Sequence, residues 1–115
     1  MAAATYNFPT HIKGDTFQGM QFTLDDGVNP IDITGYTIEC KFRLQYKNGK
    51  LAETLSTTSG ITITDAANGV FQIDALVIDW DAGKYYYDIE FTTAGSEILT
   101  YIQGIMVVTQ DVTYG

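Results

Sequence analysis

Along most of the chain apolar and polar side chains alternate, and the period is two. The longest run is Ile38, Cys40, Phe42, Leu44 and Tyr46, interleaved with Glu39, Lys41, Arg43, Gln45 and Lys47. Successive side chains of an extended chain point to opposite faces, so this pattern predicts a strand with one face buried; a helix would scatter the same apolar residues around its circumference. The pattern recurs at Met20, Phe22 and Leu24, at Ile61 and Ile63, at Phe71, Ile73 and Ala75, and at Tyr85, Tyr87, Ile89 and Phe91. A last strand is predicted over about 97–109. It is apolar on both faces, so it is expected to be covered on both sides or to sit in an interface. A weaker segment from Tyr6 to Ile12 is broken by Pro9, a residue that suits an edge.

Turn chemistry fills the gaps. Asp25-Asp26-Gly27 and Asn29-Pro30 punctuate the first. Asn48-Gly49 and Asn68-Gly69 are hairpin signals, because a type I′ turn needs positive φ at both central residues. Ala94-Gly95-Ser96 joins the last two long strands, and Leu76 to Ala82 is expected to hold one short helical turn. The prediction is an all-β fold, an immunoglobulin-like antiparallel β-sandwich of seven to eight strands, with a small closed barrel as the other architecture. Residues 12–115 form the single domain; residues 1–11 lack a periodic core signal and are expected as an N-terminal arm.

Sixteen threonines, twelve isoleucines, eight tyrosines and six phenylalanines agree with a pleated, half-buried surface. A length of 115 residues allows one domain, with about two-thirds of its unfolded surface buried. Fourteen acidic against six basic side chains, a net charge of −8, disfavour nucleic acid and anionic membranes as partners, since both bind through cations. The start lacks a secretory signal, and the longest apolar stretch, Ile105 to Val108, is far too short to span a bilayer. The single cysteine allows neither an internal disulfide nor a zinc site. The chain is expected to be made in the cytoplasm, reduced and free of metal and cofactor.

Candidate chemistry is sparse. Any Ser–His or Cys–His pair must use the lone His11, which reads as an exposed or edge histidine. Cys40 lies in the apolar register of its strand, where a thiolate is disfavoured. Asp25, Asp26, Asn29 and Asp32 offer oxygens to calcium, but their spacing matches no defined loop. Trp80 between Asp79 and Asp81 reads either as a plug at one end of the sandwich or as a sugar-stacking platform; neighbouring carboxylates rarely face each other across a cleft. Of the tyrosine run, Tyr85 and Tyr87 point inward and Tyr86 outward, as surface decoration or as part of a contact patch. No catalytic residue is expected. The candidate contact residues are Tyr6, Phe8, Trp80, Tyr86 and Tyr114.

Read in order, Gly14-Asp15-Thr16-Phe17, Pro30-Ile31-Asp32-Ile33-Thr34-Gly35, the strand through Phe42-Arg43, Asn68-Gly69-Val70-Phe71, Ala82-Gly83-Lys84-Tyr85-Tyr86-Tyr87-Asp88, and Gly104 with Val107 form a recurrent series. Over roughly 12–112 it resembles the N-terminal domain of phage baseplate upper proteins, with small relatives among tail, neck and head proteins. The resemblance implies an immunoglobulin-like, non-enzymatic virion protein, made in the bacterial host cytoplasm, whose partners are other virion proteins and repeated copies. Those proteins continue into a helical, receptor-side region that this chain lacks, so a repeated subunit such as a capsid decoration, collar or tail component is expected. Within the motif, Asp15 or Thr16 and the Asp32–Thr34 pair are expected to bond nearby backbone, and Asp88 to face outward or toward Arg43 or Lys41. The other class of function is a carbohydrate-binding sandwich that uses Trp80 with tyrosines.

Overall fold

The computed structural model describes residues 4–45 and 49–110. Among the described residues eleven strands are formed: β1 (Ala4–Thr5), β2 (His11–Ile12), β3 (Thr16–Phe17), β4 (Met20–Thr23), β5 (Thr37–Leu44), β6 (Leu51–Ser56), β7 (Ile61–Asp65), β8 (Val70–Ile73), β9 (Leu76–Val77), β10 (Gly83–Thr92) and β11 (Ile98–Thr109). Several are parts of one line. β3 pairs β9 through Phe17↔Leu76 in the same one-for-one step by which β4 pairs β8 through Met20↔Ile73, so the two pairs are one ladder interrupted at Gln18-Gly19 and Asp74-Ala75. β1 and β2 both run parallel to β11. Counted as lines, the fold has eight.

The main sheet has the order β1-β11-β10-β5-β6, with β2 also on β11, and the second has the order β4-β8-β7. The chain crosses between them from β2 to β3, from β4 to β5, from β6 to β7 and from β9 to β10. That is the Greek-key winding of an immunoglobulin-like β-sandwich, not of a closed barrel.

The alternating residues meet between the sheets. Ile38, Cys40 and Phe42 of β5, Tyr85, Tyr87, Ile89 and Phe91 of β10, Phe22 of β4, and Phe71 and Ile73 of β8 are all buried. Burial of each such side chain contributes about 1.5–3 kcal/mol of transfer free energy, which is why period two alone sufficed to place these strands. In antibody domains a disulfide and a tryptophan fill this centre. Here rings do so: Phe42 stacks on Tyr87 at 5.3 Å, and Phe22 on Phe71 at 5.3 Å.

Three expectations change. Over residues 4–11 the N-terminal segment is an edge of the main sheet and not an arm. Tyr6 N–H donates to Gln103 O, Phe8 N–H to Ile105 O, and the Phe8 ring lies 4.9 Å from that of Tyr87 and 5.6 Å from that of Phe17. Tyr6 and Phe8 turn inward about the exposed Asn7, but Pro9 and Thr10 end the alternation there, so the run is too short to announce a strand. The close approach needs Gly104: a Cβ there would overlap the Tyr6 carbonyl.

The helical turn expected within 76–82 is absent. Leu76, Ile78 and Trp80 turn inward in an extended segment while Val77, Asp79 and Asp81 stay exposed, a period of two masked by its short length. The short helical turn is instead the 3₁₀ turn Ala66–Asn68, closed by Gly69 at φ 70°. The Asn68-Gly69 hairpin between β7 and β8 is thus built on this turn and not on the expected type I′ turn, since Gly69 and not Asn68 has positive φ. In β11, the apolarity of both faces has a local cause at Tyr101 and Ile102, while Ile105 and Val107 stay in the outward register. A bulge opposite Ile89/Glu90 adds Tyr101, so that Tyr101 packs on Phe91 while neighbouring Ile102 is also buried.

The β10–β11 hairpin closes through Thr93 N–H to Glu97 O, as Ala94-Gly95-Ser96 predicts. β5 and β6 pair antiparallel; of the expected Asn48-Gly49 signal Asn48, like Tyr46, lies outside the described residues.

Candidate interaction face

The strands of the main sheet turn their polar register outward and so build one broad surface. β10 contributes Lys84, Tyr86, Asp88 and Glu90; β5 contributes Glu39, Lys41 and Arg43 opposite them. β11 adds Gln103, Ile105 and Val107, which lie opposite Asp88, Tyr86 and Lys84. β6 adds Leu51, opposite Arg43 and 44% exposed. An open depression of about 180 Å³ runs over this face, lined by Lys41, Arg43, Tyr86, Asp88, Glu90 and Gln103 among others. Lys41 Nζ pairs with Glu39 Oε1 at 3.4 Å, and Arg43 Nη1 donates to Gly49 O. Asp88 faces outward beside Lys41, as the strand register predicts.

Of the candidate contact residues, Tyr86 is the one on this face. Phe8 is not available: its ring is buried in the core among Phe17, Phe22, Phe42 and Tyr87. Tyr6 is half-buried, edge-on to Phe8 and Phe22. Trp80 is half-buried at the β5–β6 side, 5.0 Å from Phe42 and 4.9 Å from Tyr85. It lines a second open depression of about 230 Å³ with Asp79, Asp81, Lys50 and Tyr85 among others. Tyr114 lies outside the described residues. The candidates therefore do not converge, and Tyr86 and Tyr85 point to opposite sides of β10.

Two hydroxyls in the tyrosine run carry structural roles that alternation could not reveal. Tyr85 Oη donates to Asp81 O at 2.6 Å, which is the tyrosine corner of Greek-key sandwiches: a ring at the start of a strand tied to the backbone just upstream. Tyr87 Oη donates to Tyr6 O at 2.6 Å and so pins the N-terminal strand to the core. Burial pushes both phenols above their usual range, with the nearby Asp81 adding to the effect at Tyr85. The spacing Asp81-x-x-x-Tyr85 was the signal for the first; nothing local announced the second.

The other groups singled out in the sequence are engaged in the fold. His11 Nε2 bonds Asp15 O at 2.9 Å, and the turn at Gly14 is closed by backbone bonds to Ile78 and Ile12, with no side-chain bond from Asp15 or Thr16 among the described contacts. Cys40 is buried, and that burial pushes its thiol far above the usual range, with Asp88 adding to it. Asp25 Oδ1 accepts from Gly27 N–H, and Asp26 Oδ1 from Val28 and Asn29 N–H. Asp32 Oδ1 accepts from the Thr34 amide at 2.9 Å and its hydroxyl at 2.6 Å, while Gly35 turns the chain at φ 79°. The bonds from Asn29 and Val28 hold the Asp26 carboxyl below its ordinary value, and the Thr34 bonds do the same for Asp32. No group of three metal-ligating side chains forms among the described residues.

No family model and no curated protein matches the chain. Among solved structures it is similar to "Drosophila OTK, extracellular domains 3-5", with a TM-score of 0.31 and 16% identity, over 93% of this chain and 32% of that one. The chain thus spans about a third of the length of that structure.

Proposed function

We propose that the chain is a non-enzymatic structural module of a bacteriophage particle, a head decoration, collar or neck, or tail or baseplate component. Its partners are other virion proteins and repeated copies, not nucleic acid or membrane. The observation that carries the reading is the broad, open outer face of the main sheet with Tyr86 at its middle, a surface suited to docking and not to enclosing a reaction. The way the resembling residues are used is a further support. Asp32 to Gly35 build a turn, Tyr85 a corner and Gly104 a close backbone approach, so the series maintains a scaffold and leaves the face free to vary. The usual nucleophile and base are both committed elsewhere, Cys40 to the core and His11 to a turn.

The test is to purify particles of the phage that encodes the chain and to locate it by labelled antibody in negative stain. The expected outcome is a many-copy component at one fixed place, with flanking genes for capsid, portal or tail proteins. Absence from the purified particle overturns the reading.

A carbohydrate-binding role has one observation in its favour, the depression where Trp80 lies between Asp79 and Asp81 beside Tyr85. Against it, the indole already packs on Phe42 and Tyr85, which leaves less ring for a sugar. Quenching of the single tryptophan by glycans decides it: a saturable response supports this role, and none across a glycan array removes it.

A further inference from the structure

The outer face of the main sheet is sorted by charge along its strands. In the first cross-strand row Glu39 lies directly opposite Glu90, and in the next Lys41 lies opposite Asp88. The third row places Arg43 beside Tyr86, with Leu51 and Ile105 flanking them, and beyond it Lys84 lies opposite Val107. One end is thus acidic, and the other is cationic, aromatic and apolar. Like charges directly opposite each other destabilise a sheet. Within the chain Glu39 is relieved by Lys41 at 3.4 Å, while Glu90 has no ion-pair partner among the described residues.

The second sheet offers no such gradient. Its outward Gln21, Gln72 and Thr62 are uncharged, and Asp74 beside them accepts from Thr62 Oγ1 at 2.9 Å and Gln72 Nε2 at 3.0 Å.

We propose that the main-sheet face is the contact between two copies of this chain, related by a two-fold axis that lies in the interface and crosses the strands along the Lys41–Asp88 row. That rotation lays the strands of the copies antiparallel. It sets Glu39 over Arg43 of the second copy, and Glu90 over Tyr86 of the second copy, whose hydroxyl is a donor with Lys84 beyond it. Each contact off the axis occurs twice, as a self-complementary patch requires, while on the axis Lys41 and Asp88 meet their own equivalents, each beside the opposite charge of the same row. The acidic row that is a liability in one copy becomes the binding partner of the other's cationic row.

Five strands about 4.8 Å apart, along about eight residues of about 3.4 Å each, give about 650 Å² per copy. The total of about 1,300 Å² is at the lower end for a specific interface, which fits a reversible dimer. The inference deepens the proposed function by naming a second copy as the occupant of that face; it is tested in solution, whereas the virion reading is tested on the particle, so each can fail without the other.

Sedimentation of the purified full chain over a concentration series tests it. The expected result is a monomer–dimer equilibrium that stops at the dimer and weakens as salt rises. Glu39→Lys and Arg43→Glu each weaken the dimer by about tenfold or more, as does Tyr86→Ala. The double variant Glu39→Lys/Arg43→Glu restores it, because a two-fold contact is rebuilt with both signs inverted. Thermal melts establish that each variant is folded; should Arg43→Glu not fold, Lys84→Glu with Glu90→Lys serves as the second charge swap. A protein that stays monomeric throughout overturns the proposal. So does growth beyond the dimer, or a folded double variant that remains as weak as the single ones.

Discussion

Single side chains hold this fold at places where the ladder of strands cannot. The Tyr85 hydroxyl removes one degree of freedom from the crossing between sheets by bonding Asp81 O. Tyr85→Phe keeps the buried ring and loses only that bond, so it is expected to cost about 1 kcal/mol in chemical denaturation with no change in the far-ultraviolet spectrum. Asp26 and Asp32 act in a different way, as acceptors that fasten two exposed turns. Both carboxyls sit below their ordinary value in the folded chain, first through the Asn29 bond at Asp26 and first through the Thr34 side-chain bond at Asp32. The unfolded chain then binds protons more readily, so their contribution is intact above about pH 4 and fades as pH falls through the lower folded values. Melting temperature is expected to decline below about pH 4, and Asp26→Asn with Asp32→Asn, which keep an acceptor oxygen, to flatten that part of the profile. An unchanged profile in the double variant would show that the acid sensitivity lies elsewhere.

At the scale of elements, the N-terminal strand is the informative one. It makes only short pairings with β11, at Ala4↔Ile102 and Val108↔His11, yet Phe8 lies between rings from β3, β4, β5 and β10. Phe8→Ala is expected to cost about 3–5 kcal/mol by calorimetry, as for other large-to-small changes in a core. A loss under about 1 kcal/mol would mean that the strand docks without anchoring. This element was the least legible in the sequence. Strands such as β5 and β10 repeat one environment over many residues, so the same transfer free energy writes the same letter type at every second position. An edge strand fixed by one ring, one bond from Tyr87 and a gap left by Gly104 is specified by partners far along the chain: the Tyr87 bond to Tyr6 O spans a separation of 81 and the Asn7 Oδ1 bond to Ile105 N–H one of 98. The segment 76–82 failed to announce itself for a related reason. Leu76, Ile78 and Trp80 are too few inward positions to separate a strand from a turn.

For the molecule as a whole, alternation and turn residues carried the class of fold and most of the core, and placed Tyr86 outside. They did not reveal that Tyr86 shares a face with charges graded from Glu39 to Lys84, because that order exists only once register aligns β5, β10 and β11. One further property follows from where the N-terminal strand lies. Its partner is β11, so vectorial synthesis releases Phe8 long before the strand that will lie beside it. The slot around Phe8 cannot seal until β11 has left the ribosome. Folding of this domain therefore waits on contacts of high sequence separation, and a chain cut before β11 presents an aromatic furrow for chaperones to hold.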